Sequence, residues 1–494
     1  MHDYIGHPYI DIGLATIAAF SHKQHPSQIS ESDMSAIADY MTKEYVRQPL
    51  RSFLTVVFPN SGFTQPAFFK SPERQQDYAN RVLRGYAKGI PTLDETCAFT
   101  GEPAIAIAFG DKEGMPVGRA FRQHVPLTLG EETINFYPYG DAGLPVSGEA
   151  LLAIQAFPLG CAKCAGRLLA VHSDNNEILF HFANSFLIEN RKAVQLAQAA
   201  GSKKMPGPHF AFRTLLIDTL LRADQMQQES VEFQEPFSLT IYHMSNSGQG
   251  PELDIYELPF EIAGFLRDME QPRFRTEWQA IVRAAWEVPP ESKQKKQKEQ
   301  PFRPSRNMLY ESLFELPENG NRFIRTYFLR IAIRRTRNEN DPRVNYSTRR
   351  EAQLVSWKIT ARFLWRVMHM DKERIEIIRR MGDCLADYIN RQNDRYLYTN
   401  FRNQNYHQFR TALLRANLAE VKRGNPPIIE FDSYIEVFEF AENDAMPRWR
   451  LARDLVFIKM IERLYQSGWL DTNADAVADI IDEDEELTTK VEED

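Results

Sequence analysis

The chain has 494 residues, 43% of them hydrophobic and 26% charged, which suits a folded protein with room for two or three domains. A formal charge of −8 argues against a uniformly basic protein, and no apolar run reaches the roughly 18 residues of a membrane-spanning helix. Four cysteines are too few for a disulfide framework, and Met1-His2-Asp3-Tyr4 lacks the basic and apolar parts of a secretory signal, so a reducing cytoplasm is the expected location, with no membrane partner.

In chain order, residues 8–20 read as an entry turn and an apolar helix with Asp11 as its N-cap, and a second helix begins near Ser30-Glu31-Ser32-Asp33. The aromatic and β-branched run 53–58 reads as a buried strand entering a polar turn at 59–66. From about 91 to 185, Gly and Pro recur between short apolar runs at 104–109 and 168–172. That pattern predicts a loop-rich insert with small strands, held by something other than a large core. Residues 177–199 have helical spacing and stop at a basic turn, 201–208, which carries Lys203 and Lys204. Strands follow at 237–244 and 253–258.

Two expected strands end in turns built on one tripeptide, Asn60-Ser61-Gly62 and Asn246-Ser247-Gly248, the second followed by Gln249. Short amide and hydroxyl side chains beside a glycine can enter a narrow groove and still offer hydrogen bonds; the same residues also build ordinary turns.

Pro289-Pro290 and the lysine-rich stretch 291–300 mark a linker extending to about 306. The domains expected are therefore 1–290 and 307–494. Helical spacing recurs at 327–337, 350–370, 371–391, 396–422 and 447–468, predicting a bundle over about 350–478 before an acidic tail. The fold class expected is α+β, a mixed N-terminal domain followed by a C-terminal helical one.

Charge is unevenly spread. Residues 301–410 hold 22 basic and 12 acidic side chains, whereas residues 411–494 hold 9 and 20. Arginine dominates the basic stretch, as suits bidentate phosphate contacts; Arg334, Arg335, Arg337, Arg349, Arg350 and Arg402 are candidates, interleaved with tyrosines on which bases can stack. Solvated helix faces paired with acids are the alternative.

The cysteines form two segments, Cys97-Ala98-Phe99-Thr100-Gly101 and Cys161-Ala162-Lys163-Cys164-Ala165-Gly166. Cysteines at this spacing before a glycine make a zinc knuckle, and two facing knuckles supply four ligands. Thr100 stands where one sulfur belongs. Cys97, Cys161 and Cys164 are thus candidate ligands of a structural zinc, with His124, His172 or His181 as a fourth, or else the remnant of a site that has become an apolar packing unit. Cys384 falls on an apolar helical stripe. Walker, His-Glu-x-x-His, nucleophile-elbow and dinucleotide-binding signatures are all missing from the sequence.

The opening 6–13, the turn 59–66, the paired cysteine segments and 245–251 occur in an order that resembles the large subunit of type I-B Cascade, a CRISPR surveillance complex, in its branch with two Cys-x-x-Cys segments. The resemblance covers most of residues 1–260; the helical rear part matches in kind, since the family often ends in a bundle similar to the complex's small subunit. It implies a non-catalytic subunit that works with guide RNA, target DNA, the backbone, handle-binding and small subunits, and a recruited helicase-nuclease or other effector. The two Asn-Ser-Gly turns and Gln249 would then read the motif beside the target, and Lys203 and Lys204 would hold phosphates. It also suggests an internal translation start near Met368 or Met370, the alternative being that both are core methionines. Two other readings stay open: a zinc-dependent hydrolase or transferase with an open fourth position, and a nucleic-acid-binding scaffold without a guide.

Overall fold

A computed structural model describes residues 3–110, 115–130, 140, 142–227, 237–246, 250–289, 302–333, 339–401, 405–439 and 449–474. The expected Ser247, Gly248, Gln249, Arg334, Arg335, Arg337 and Arg402, most of the linker and the acidic tail lie outside these residues. The protein is α+β, with a predominantly helical C-terminal part. Residues up to Phe260 form one compact unit and residues from Glu261 a second. This division falls some thirty residues before the expected linker, because 261–283 is helical and packs with the helices that follow it.

In the first unit, α1 (Pro8–Phe20) is apolar on every side and buried from Ile10 to Ala19, as suits a helix surrounded by protein. Its N-cap is His7, whose Nδ1 accepts from Tyr9 N at 3.3 Å. Asp11, expected as the cap, lies within the first turn. It accepts from Ile5 N at 2.8 Å and Gly6 N at 2.9 Å and meets His172 Nε2 at 3.0 Å, tying the incoming chain to the helix. α2 (Glu31–Glu44) starts at Ser30 with a full capping box closed by Asp33.

Residues 53–58 are not a strand. Leu50, Phe53, Leu54, Val57 and Phe58 are all buried, and their spacing is that of a helix face: the short helix α3 (Leu50–Leu54) and the turns after it. α4 (Pro72–Leu83) follows, then the paired strands β1 (Thr92–Thr96) and β2 (Pro103–Ile105), and the small pair β3 (Arg119–Ala120) and β4 (Leu144–Pro145).

The region expected to be a loop-rich insert belongs to the main core. Its centre is α5 (Gly148–Ala156), buried at every residue but Glu149 and packed on α1. A Cβ on Gly13 would lie 2.1 Å from the Ala153 carbonyl oxygen, so the glycine allows the two helices to touch backbone to backbone. Strands β5 (Ala162–Cys164) and β6 (Arg167–Ser173) lead to α6 (Asn176–Ala199) and α7 (Phe212–Gln227). β7 (Leu239–Ser245) and β8 (Glu252–Leu258) complete a four-stranded antiparallel sheet in the order β5-β6-β7-β8, with Leu169 opposite His243 and His243 opposite Asp254.

The second unit begins with α8 (Phe260–Glu270), α9 (Pro272–Arg283), α10 (Met308–Leu313) and α11 (Trp357–Arg366); Phe265 of α8 meets Trp278 of α9 and Phe363 of α11, and Phe323 stacks on Phe363. The expected helix 327–337 is only begun: a π turn over Ile324–Phe328 gives way at Arg330, whose φ of 58° ends helical progression. The rear helices are α12 (Lys372–Gln392), α13 (Arg395–Asn400), α14 (Tyr406–Lys422) and α15 (Trp449–Gln466). α12 and α15 pack closely where Gly382 faces Val456 and Lys459.

Candidate nucleic-acid interface

The fold gathers the expected front-half candidates around α3. The end of β7 docks on the chain leaving that helix: Asn246 N donates to the Val56 carbonyl at 2.8 Å, and its Nδ2 to the Val57 carbonyl at 3.4 Å. Asn246, which opens the second Asn-Ser-Gly tripeptide, is therefore held on the chain leading into the first, 189 residues from its partner Val57. Lys163 extends over the Phe53 ring, 5.8 Å from its centroid. The Gln48 amide, oriented so that both its ends are satisfied, donates to the Lys203 carbonyl at 3.1 Å. Arg51 covers the half-exposed Phe69 at 4.2 Å.

Within this arrangement the candidate residues divide by role. Asn60 is exposed and has a φ of 63°, a conformation asparagine tolerates better than most residues. Ser61 is fully buried; its Oγ is 3.1 Å from the Tyr78 hydroxyl, whose proton burial holds up to about 12. A Cβ on Gly62 would lie 2.5 Å from the Tyr78 ring. Asn246 is 1% exposed. Ser61, Gly62 and Asn246 thus shape the turns from inside, and of the described turn residues only Asn60 presents its side chain outward.

Lys203 and Lys204 are exposed and Lys163 is half-buried, and none has a carboxylate at ion-pair distance among the described residues. Burial first, and then Lys204 nearby, lowers the Lys163 pKa. Several cations without ion-paired carboxylates on one unit are suited to a polyanion.

The arginines of the second unit are differently placed. Arg330 is wholly buried: it forms a two-pronged bond to Glu351 at 3.2 and 2.8 Å and lies 3.3 Å from the Tyr346 ring centroid. Arg343 grips Asp341, and Arg325 reaches Asp454 at 3.0 Å. Arg349 donates to the Ala474 carbonyl, and Arg350 to that of Asn345 at 3.4 Å. Much of the local positive excess therefore holds chain segments together. Asp341 lies beside Arg343 in sequence, whereas Glu351 and Asp454 come near their arginines only in the fold.

The cysteines do not fit a zinc tetrahedron in this arrangement. Among the described residues no three His, Cys, Asp or Glu side chains gather as a metal requires. Cys161 Sγ donates to the Phe157 carbonyl at 3.1 Å, and burial keeps its pKa well above that of an ordinary thiol. Burial likewise pushes Cys164 up to about 12. Cys97 Sγ accepts from Phe99 N at 3.5 Å. The candidate fourth ligands have other neighbours: His172 meets Asp11, His181 meets Ser185 Oγ at 3.3 Å, and the buried His124 Nδ1 accepts from Phe121 N at 3.2 Å. Thr100 takes up the missing sulfur's place in a polar way, 3.4 Å from Ser147 Oγ. Cys384, expected in the core, is exposed on α12.

A second surface was not foreseen. α14 exposes Leu414, Leu418 and Val421 at 59%, 54% and 51%, continuing an outward row from His407 and Thr411 with spacings of four and three residues. Exposed Arg410, Arg415 and Lys422 flank it, and Arg415 lies 5.0 Å over the Tyr396 ring. The spacing was present in the sequence, but only the structure shows that α14 buries its other face.

No protein-family model matches the chain, and no curated protein or solved structure matches it either. Among the described residues, no helix is long and apolar enough to cross a membrane.

Proposed function

We propose that the chain is a non-catalytic, nucleic-acid-binding large subunit of an RNA-guided complex of the type I-B Cascade kind, acting in the cytoplasm. In this reading it binds guide RNA and target DNA, inspects the motif flanking the target, supports opening of the duplex and recruits a separate effector. One observation carries the proposal: β7 and the 201–204 turn both meet the chain around α3, where Lys163, Lys203 and Lys204 have no ion-paired carboxylate among the described residues and the turn after α3 exposes Asn60. Phosphate neutralisation supplies affinity there, and the guide supplies sequence. Ser61, Gly62 and Asn246 hold the turns in shape, and Asn60 meets the duplex.

The apolar row on α14 supports docking by a helix of another subunit with acidic residues along its seam. A second copy of this chain would set basic flank against basic flank. No cysteine-bound metal is needed for either role.

Purification of the untagged chain from its own host tests the proposal. Co-elution of short RNA of uniform length is the expected result. DNA binding without such RNA would instead indicate a guide-independent scaffold, and failure to bind either nucleic acid would remove the proposal.

A further inference from the structure

A cavity of about 880 Å³ lies between α6, α7 and the 205–210 loop. This volume is within the range of small-molecule sites, roughly 300–1,000 Å³. It runs along α6 from His181 to Leu196, fifteen residues or about 22 Å of helix. Its middle is apolar, walled by Phe186, Met205, Phe210 and Leu215. Its ends differ. At the first, Asp218 and Arg222 pair at 2.7 Å and cancel. At the second, Lys163 and Lys192 line the wall beside Asn190, and neither has an ion pair among the described residues; exposed Glu189, three residues before Lys192, also lines the cavity.

We propose that this cavity binds a free long-chain carboxylate, with the alkyl chain along α6 and the head group between Lys163 and Lys192. The walls favour an alkyl chain over a peptide. α6 and α7 satisfy their own backbone groups, and two of the loop residues, Pro206 and Pro208, have no N–H. An extended peptide would bury its amides there without partners, whereas an alkyl chain has none to satisfy. A helix 22 Å long and 10 Å wide has about twice the cavity's volume, so much of it would lie outside. Lys204 nearby adds to the positive charge at the head end, and burial already disfavours the Lys163 charge; an anion relieves both. Leu196 and Ile188, more than half exposed on the rim, gain cover from the bound chain. The site shares Lys163 with the nucleic-acid surface proposed above, but oleate binding is read without nucleic acid, so either reading can fail alone.

Titration of the full chain with sodium oleate below its micelle concentration tests this. Saturable binding of one oleate per chain is expected. Oleyl alcohol, which has the same chain without the charge, should bind about tenfold more weakly, and so should oleate to the Lys163→Ala/Lys192→Ala double variant. Leu196→Glu, at an exposed position that tolerates charge, should also weaken oleate binding. Vesicles of phosphatidylglycerol should not bind through this site. The proposal is overturned if oleate binding is absent or unsaturable, if the alcohol binds equally well, if the lysine variant is unaffected, or if the chain sediments with phosphatidylglycerol vesicles and the lysine variant does not.

Discussion

Two basic regions of this protein differ in what their charges face. Around α3, Lys163, Lys203 and Lys204 have no carboxylate within reach among the described residues. In the second unit, Arg325, Arg330 and Arg343 each hold a carboxylate, and Arg330 does so with no exposure at all. A local excess of arginine is therefore a poor guide to free charge. The planar guanidinium suits internal bridging as well as phosphate, and the choice depends on which distant acids the fold brings near.

The sharpest way to probe this contrast is to remove the most deeply buried arginine. Arg330→Ala leaves Glu351 facing a void and should cost about 3 kcal/mol of unfolding free energy in urea melts. At temperatures where the variant stays folded, the salt dependence of DNA binding should not change. A stable variant with weakened DNA binding would reverse the assignment.

Gly62→Ala comes next. The added methyl has to displace the Tyr78 ring, so a loss of roughly 2 kcal/mol is expected. Asn60→Gly, by contrast, keeps the left-handed backbone and should leave stability within about 0.5 kcal/mol. It removes the one outward amide, so binding to duplexes with the correct flanking motif should weaken while binding to other DNA holds. Equal loss on both would reduce Asn60 to a backbone-positioning role.

These turns also show how much was legible. The Asn-Ser-Gly repeat was visible as spacing, and helices such as 177–199 and 371–391 emerged nearly where periodicity placed them. At 53–58 the same apolar residues satisfy strand and helix readings, and only Leu50, outside the run, completes the helical face. The cysteine segments are a different case. Their spacing describes a knuckle, but metal binding depends on whether the sulfurs meet, and among the described residues no three possible ligands gather. Adding a chelator should accordingly leave the melting temperature unchanged; a drop of several degrees would restore the zinc reading.

The core makes one pH-dependent prediction. Burial lowers the His124 pKa to about 3, below the ordinary 6.5. Between those values the unfolded chain takes up a proton that the folded chain refuses, so stability falls as pH drops through that window. Urea midpoints at pH 7, 5 and 4 should decline in that order, and less steeply in His124→Gln.

The most direct test compares the two regions on one axis, the slope of log binding constant against log salt for a DNA duplex. Lys203→Ala/Lys204→Ala should flatten that slope by about two. Arg349→Ala/Arg350→Ala should leave it unchanged. An unaltered slope in the lysine variant with a flattened one in the arginine variant would contradict the account.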